Sequence, residues 1–163
     1  MEDLKKKSKR LLVVDDEKST RDLLAEYLTE YGYDVTCAAN GQDALQLYKQ
    51  GHFDLIVSDL FMEPMDGLEL LNTVKEINPD AIFIMITGYP SIKSSIEVIK
   101  KGAKDYITKP FNIDEIKVKI ERALLEQSLR GRLKNTHGII WALIISIPIW
   151  LVLGIILAKV LMK

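Results

Sequence analysis

Two hydrophobic rhythms take turns along this chain. Leu11-Leu12-Val13-Val14 is continuously apolar and stops at Asp15-Asp16-Glu17. Such a run fits a strand buried on both faces of a parallel sheet. Leu23, Leu24, Tyr27, Leu28 and Tyr31 come next at helical spacing, with Ser19-Thr20 as an N-cap pair and Gly32 at the C-terminus. Residues 33–38 read as a strand. Asn40-Gly41 opens a helix carrying Ala44, Leu45, Leu47 and Tyr48, which Gly51 ends. Residues 53–58 are again apolar and run into Asp59.

After a loop over residues 60–67, Leu68, Leu70, Leu71, Val74 and Ile77 predict a helix that Asn78-Pro79 breaks. Residues 81–86 predict the most hydrophobic strand, ending at Thr87-Gly88. Ser91 caps a helix whose expected apolar stripe is Ile92, Ile96 and Ile99, stopped at Gly102. Residues 105–108 read as the last strand, ended by Lys109-Pro110. Asn112 with Glu115 predicts a capping box for a final helix striped by Ile113, Ile116, Ile120 and Leu124. Strand and helix therefore alternate five times. That pattern predicts an α/β fold, a parallel sheet wound with helices on both faces.

The strand ends carry the candidate chemistry. Open α/β sheets place ligands at the carboxyl edge of their strands. There the chain offers Asp15 and Asp16 after strand one, Asp59 after strand three, Thr87 after strand four and Lys109 after strand five. Adjacent carboxylates suit a hard cation such as Mg²⁺. A carboxylate can act as nucleophile toward a phosphoryl group. Phosphoryl transfer needs mainly positioning and neutralisation of oxygens, which a cation, an ammonium and a hydroxyl supply.

Five segments then resemble the receiver domains of two-component response regulators, in order and in spacing. They are Val13-Val14-Asp15-Asp16-Glu17, Ser58-Asp59-Leu60, Met65-Asp66-Gly67, Ile86-Thr87-Gly88 and Thr108-Lys109-Pro110-Phe111. The likeness covers roughly residues 8–126. It implies a five-stranded parallel, doubly wound, CheY-like sheet in the order 2-1-3-4-5. It implies that Asp59 is the phosphoacceptor and that Asp15, Asp16, Asp59 and the Phe61 backbone carbonyl bind Mg²⁺. Thr87 and Lys109 are expected to contact the phosphoryl group, and Tyr106 to change rotamer with Thr87. Lys109-Pro110 is expected to be cis. The donor would be a sensor histidine kinase or a histidine phosphotransfer protein. The chain would assist only its own phosphorylation and dephosphorylation, and so would not count as an enzyme.

One departure lies in the loop after Asp59, where Glu63 stands at the family's proline position and Pro64 comes after it. A local change of turn is expected, with the chemistry kept. Phe61 and Tyr89 lie two residues after Asp59 and Thr87. Both should rim the pocket and shield it from attacking water, which predicts slow self-dephosphorylation. His52 and His137 are isolated and read as exposed loop residues. Cys37, the single cysteine, reads as a small buried apolar side chain.

Composition adds little for the receiver segment, residues 10–126, and much for the C-terminal residues beyond it. The chain has 163 residues and a formal net charge of -1, so it carries no overall case for nucleic-acid binding. Residues 1–9 form a basic tail, and the apolar run after it is too short for an export signal. Residues 127–138 read as a basic linker. Residues 139–158 hold no charge, and thirteen of the twenty are Ile, Leu or Val. At ~1.5 Å per residue such a helix spans about 30 Å, a hydrocarbon core. A single-pass transmembrane helix is expected there, with residues 159–163 as a short tail. Arg130, Arg132 and Lys134 outnumber Lys159 and Lys163, which places the receiver on the cytoplasmic face of the inner membrane. The expected output is a phosphorylation-dependent contact with a membrane-bound protein. A non-phosphorylated membrane scaffold using a degenerate receiver fold is the alternative.

Overall fold

The computed structural model describes residues 8–89, 91–130 and 146. The chain separates into two compact units, Met1–Leu124 and Leu125–Lys163. The first holds the strands β1 (Arg10–Val14), β2 (Asp34–Ala38), β3 (Leu55–Asp59), β4 (Phe83–Thr87) and β5 (Asp105–Thr108). Between them lie α1 (Lys18–Glu30), α2 (Gly41–Gln50), α3 (Gly67–Ile77) and α4 (Ile92–Lys100). Residues 113–130 are helical and are called α5.

The five strands form one parallel sheet in the order β2-β1-β3-β4-β5, the expected one. The period-2 alternation of strand side chains sorts the apolar residues into two layers. Leu12, Val14, Ile56, Phe83 and Met85 pack with Ala44 and Tyr48 of α2 and with Leu70, Leu71 and Val74 of α3. Leu11, Val13, Leu55, Val57, Ile84 and Ile86 pack on the other face with Leu24 and Leu28 of α1 and Ile116 and Ile120 of α5. Every residue of β3 and β4 is buried. That explains why these strands read as unbroken apolar runs.

Several expectations need correction. β3 and β4 each end one residue later than their apolar runs, because Asp59 pairs with Ile86 and Thr87 pairs with Thr108. α1 starts earlier than predicted, with Glu17 at its N-cap. Ser19 and Thr20 are inside the helix and donate their hydroxyls to the Glu17 carboxylate at 2.8 and 2.9 Å. Of the α1 stripe only Leu24 and Leu28 are buried. In α4 the expected stripe faces outward: Ile92, Ile96 and Ile99 are exposed, whereas Val98 is buried. Cys37 is exposed; it lies on β2, an edge strand of the sheet.

Gly67 is required by close approach, since a Cβ there would lie 2.1 Å from the Asp59 carbonyl oxygen. Gly32 has φ +87°, the left-handed conformation with which glycine ends a helix at low cost.

The basic tail over 1–7, the linker residues 131–138 with His137, and the transmembrane helix expected over 139–158 lie outside the described residues, Ser146 excepted. Among the described residues, no helix is long and apolar enough to cross a membrane.

Candidate functional site

The carboxyl edge of the sheet gathers its side chains because parallel strands all end there. β1 runs into Asp15, which is 1% exposed; β3 ends on Asp59, 8% exposed; β4 ends on Thr87, fully buried. Lys109 comes directly after β5 and reaches across the edge. Its Nζ donates to Asp59 Oδ2 at 2.7 Å and to Asp15 Oδ2 at 2.8 Å. The other carboxylate oxygens accept backbone amides: Asp15 Oδ1 from Glu17 N at 2.9 Å, and Asp59 Oδ1 from Leu60 N at 2.7 Å. Asp16 is exposed and completes the acidic group. One ligand oxygen from each of Asp15, Asp16 and Asp59 lies within 4.8 Å of the others.

Charge is unbalanced in this space. Burial pushes the Asp15 carboxyl above its ordinary value, and the nearby Asp59 charge adds to the rise; the Lys109 hydrogen bond and charge oppose it without cancelling it. Burial alone would pull Lys109 down, but its hydrogen bonds and charge pairing with Asp15 and Asp59 outweigh that and hold the ammonium above its ordinary value. One lysine thus serves two buried carboxylates, with a third carboxylate beside them. Such a donor set of hard oxygens at short mutual spacing fits a divalent cation of the Mg²⁺ or Ca²⁺ kind.

The pocket above Asp59 has a volume of about 230 Å³ and is lined by Asp16, Glu17, Asp59, Phe61, Gly88, Tyr89 and Lys109. Phe61 and Tyr89 form an edge-to-face pair, with ring centroids 6.0 Å apart and planes at 79°. Their expected place at the rim is observed. Thr87 Oγ1 accepts the Tyr89 amide at 3.2 Å, which leaves its O–H as a donor. Tyr106 is half-buried against the layer under α2 and α3. Its hydroxyl oxygen is buried and has no hydrogen-bond partner among the described residues.

The loop after Asp59 is tied at its base and near its end. Gly67 N donates to Leu60 O at 3.0 Å, and Gly41 N donates to Met65 O at 3.2 Å. Both Glu63-Pro64 and Lys109-Pro110 are cis. The second was expected. The first is the local change of turn that accompanies the displaced proline. His52 is exposed and lies 3.9 Å from Asp54 at the opposite edge of the sheet.

Two contributors carried no assigned role in the sequence. Arg21 Nη1 donates to the Asp15 carbonyl oxygen and so braces the start of the acidic turn; its position on α1 gives no sign of this. Glu17 lines the pocket, and its place next to Asp16 was the available signal. Its carboxyl is held below the ordinary value by the Ser19 and Thr20 hydroxyls.

The same arrangement of strands and acids has counterparts among known proteins. The family described as "Response regulator receiver domain" matches residues 11–121. The regulatory protein AtoC of Escherichia coli K12 is 34% identical over 128 residues, which is 78% of this chain and 28% of that protein. The transcriptional regulatory protein ZraR of Klebsiella oxytoca is 37% identical over 119 residues, 73% of this chain and 27% of that one. The chain therefore spans little more than a quarter of these relatives. A CheY-like receiver domain of Methanospirillum hungatei JF-1 superposes with a TM-score of 0.73 at 35% identity, over 76% of this chain and 99% of that one. Since relatives are named transcriptional regulators, the expectation that nucleic acid plays no part finds no support among them.

Proposed function

Because the chain belongs to the response regulator receiver domain family, we propose that it accepts a phosphoryl group on Asp59 and works as a phosphorylation switch. One observation carries the reading. Asp59 sits at the base of an open pocket, hydrogen-bonded to Lys109, with two further carboxylates at ligand spacing.

The roles derive from placement. A carboxylate oxygen of Asp59 bonds to phosphorus as the bond from phosphorus to the donor breaks, and the donor keeps that electron pair. Lys109, already at the carboxylate, neutralises a phosphoryl oxygen. The Thr87 hydroxyl donates to another. Asp15, Asp16, Asp59 and the Phe61 carbonyl would hold Mg²⁺, which when bound supplies further neutralisation of those oxygens. Tyr106 is the candidate relay: its buried, unpartnered hydroxyl has little to lose if the ring turns outward when Thr87 is drawn toward the phosphoryl group.

The donor class is the phosphohistidine of a histidine kinase or phosphotransfer protein. The chain acts on itself and not on a separate substrate. The uncharged segment 139–158, rich in Ile, Leu and Val, supports a membrane tether, and the excess of Arg130, Arg132 and Lys134 over Lys159 and Lys163 supports the cytoplasmic side for the receiver. Tethering would raise the effective concentration near a membrane-bound partner.

Acetyl phosphate with Mg²⁺ provides the test. Wild type should incorporate one phosphoryl group per chain, detected by intact mass, and Asp59→Asn none. Wild type that takes up nothing would sink the switch and leave the scaffold.

A further inference from the structure

The three acids of the pocket are held in unequal ways. Asp15 is fixed at every polar atom. Its amide donates to Ala38 O at 3.3 Å, its carboxylate accepts Glu17 N at 2.9 Å and Lys109 Nζ at 2.8 Å, and its carbonyl oxygen accepts Arg21 Nη1. The Asp59 carboxylate is held by Leu60 N and Lys109 Nζ. Asp16 is exposed, at the bend between β1 and α1, and none of the hydrogen bonds that fix Asp15 and Asp59 reaches its carboxylate. Yet a ligand oxygen of Asp16 lies within 4.8 Å of those from the other two. The backbone must place it. The Asp15 carbonyl and the Asp16 amide belong to one planar peptide unit. Asp15 is already located by its other contacts. What Arg21 adds, from the first turn of α1, is the angle of that plane, and so the direction in which Asp16 leaves it. A guanidinium suits the task, because its donors stand in a rigid planar fork.

We infer that Arg21 is a positioning residue of the cation site: by holding the Asp15 carbonyl it aims the Asp16 carboxylate into the space shared with Asp15 and Asp59. This rests on the reading of the three acids as a Mg²⁺ site. The consequence runs against simple electrostatics. A guanidinium beside a cation site repels the cation, so as a charge alone Arg21 would weaken binding and its removal would tighten it. The charges that act on the Asp15 carboxyl are those of Lys109 and Asp59, whereas Arg21 meets the backbone. As a positioning group its removal loosens binding instead. Groups that orient metal ligands from behind are typically worth 10–100-fold in metal affinity.

The test is calorimetric titration of the full chain with Mg²⁺ alone, with no phosphoryl donor present. Arg21→Met should weaken Mg²⁺ binding about tenfold. Arg21→Lys, which keeps the charge and a donor, should recover part of that loss. Asp16→Asn separates aim from general damage to the pocket. In that background Arg21→Met should cost less than about twofold, because residues that act as a unit are not additive. Where Arg21→Met fails to fold, Arg21→Gln, shorter and neutral, should give the same pattern. Binding in the Arg21 variant as tight as wild type, or tighter, overturns the positioning role and leaves the cation site intact. Full additivity with Asp16→Asn overturns the route through Asp16. Wild type without saturable Mg²⁺ binding overturns both the site and the role.

Discussion

The two edges of the sheet both carry charge, yet they handle it in opposite ways. At the amino edge, Lys9 meets Asp54 at 2.8 Å and Arg10 meets Asp34 at 3.3 Å, with His52 nearby and the Arg10 guanidinium 5.0 Å from the Phe53 ring centroid. Positive and negative groups are matched there, and all but Asp54 and the part-buried Arg10 are half or more in water. At the carboxyl edge, Asp15 and Asp59 are buried and share one lysine. Matched, solvated pairs cost little and contribute little. Crowded carboxylates out of water disfavour their own charge and persist where something else needs them. The contrast separates scaffold from site without reference to any motif.

That contrast can be tested at several strengths. Lys109→Met should slow labelling of Asp59 by acetyl phosphate about 100-fold, the scale seen when one preorganised donor to developing charge is lost. A smaller change would assign the neutralisation elsewhere. Phe61→Asn with Tyr89→Glu should speed loss of the phosphoryl group about tenfold, about 1.4 kcal/mol of barrier, by opening a line for water; an unchanged half-life removes the shield.

The same substitution should then act with opposite sign at the two edges. Asp15→Asn should stabilise the metal-free protein by about 1 kcal/mol near neutral pH, since burial disfavours the charge it removes. Asp54→Asn should destabilise by about 1 kcal/mol, the scale of one hydrogen-bonded pair. Asp54 is desolvated, but the Lys9 hydrogen bond and the Arg10 amide outweigh this and lower its carboxyl below the ordinary 3.8. A lowered folded value gives stability that is present above the ordinary value and lost as pH falls through the lowered one. Melting temperature against pH should therefore flatten on the acid side in Asp54→Asn. Equal signs at the two edges would dissolve the comparison.

The parallel sheet was legible because buried parallel strands leave unbroken apolar runs between helical stripes, whereas its strand order came only from the family resemblance. Strand ends were less so: backbone pairing carries Asp59 and Thr87 into the ladder one residue past the apolar run. α4 misled for a physical reason. Ile92, Ile96 and Ile99 make a fuller stripe than the inward Ser94, Ser95 and Val98, yet the helix buries Val98. A short helix beside the end of the sheet can leave its greasier face outward, and helical spacing reports a face without its direction. The pocket's residue types were legible, whereas the Arg21 brace depends on the shape of the turn from β1 into α1, and the Gly41–Met65 contact on two separate segments meeting in space.

Lys109 has a consequence for how the molecule comes into being. It joins Asp59 across 50 positions of sequence and Asp15 across 94. Closing loops of that length is entropically expensive and comes late when contacts are this non-local. A chain emerging from the ribosome holds both carboxylates long before it holds their cation. The pocket is then among the last parts to be assembled, and its competence certifies that the sheet is complete through β5.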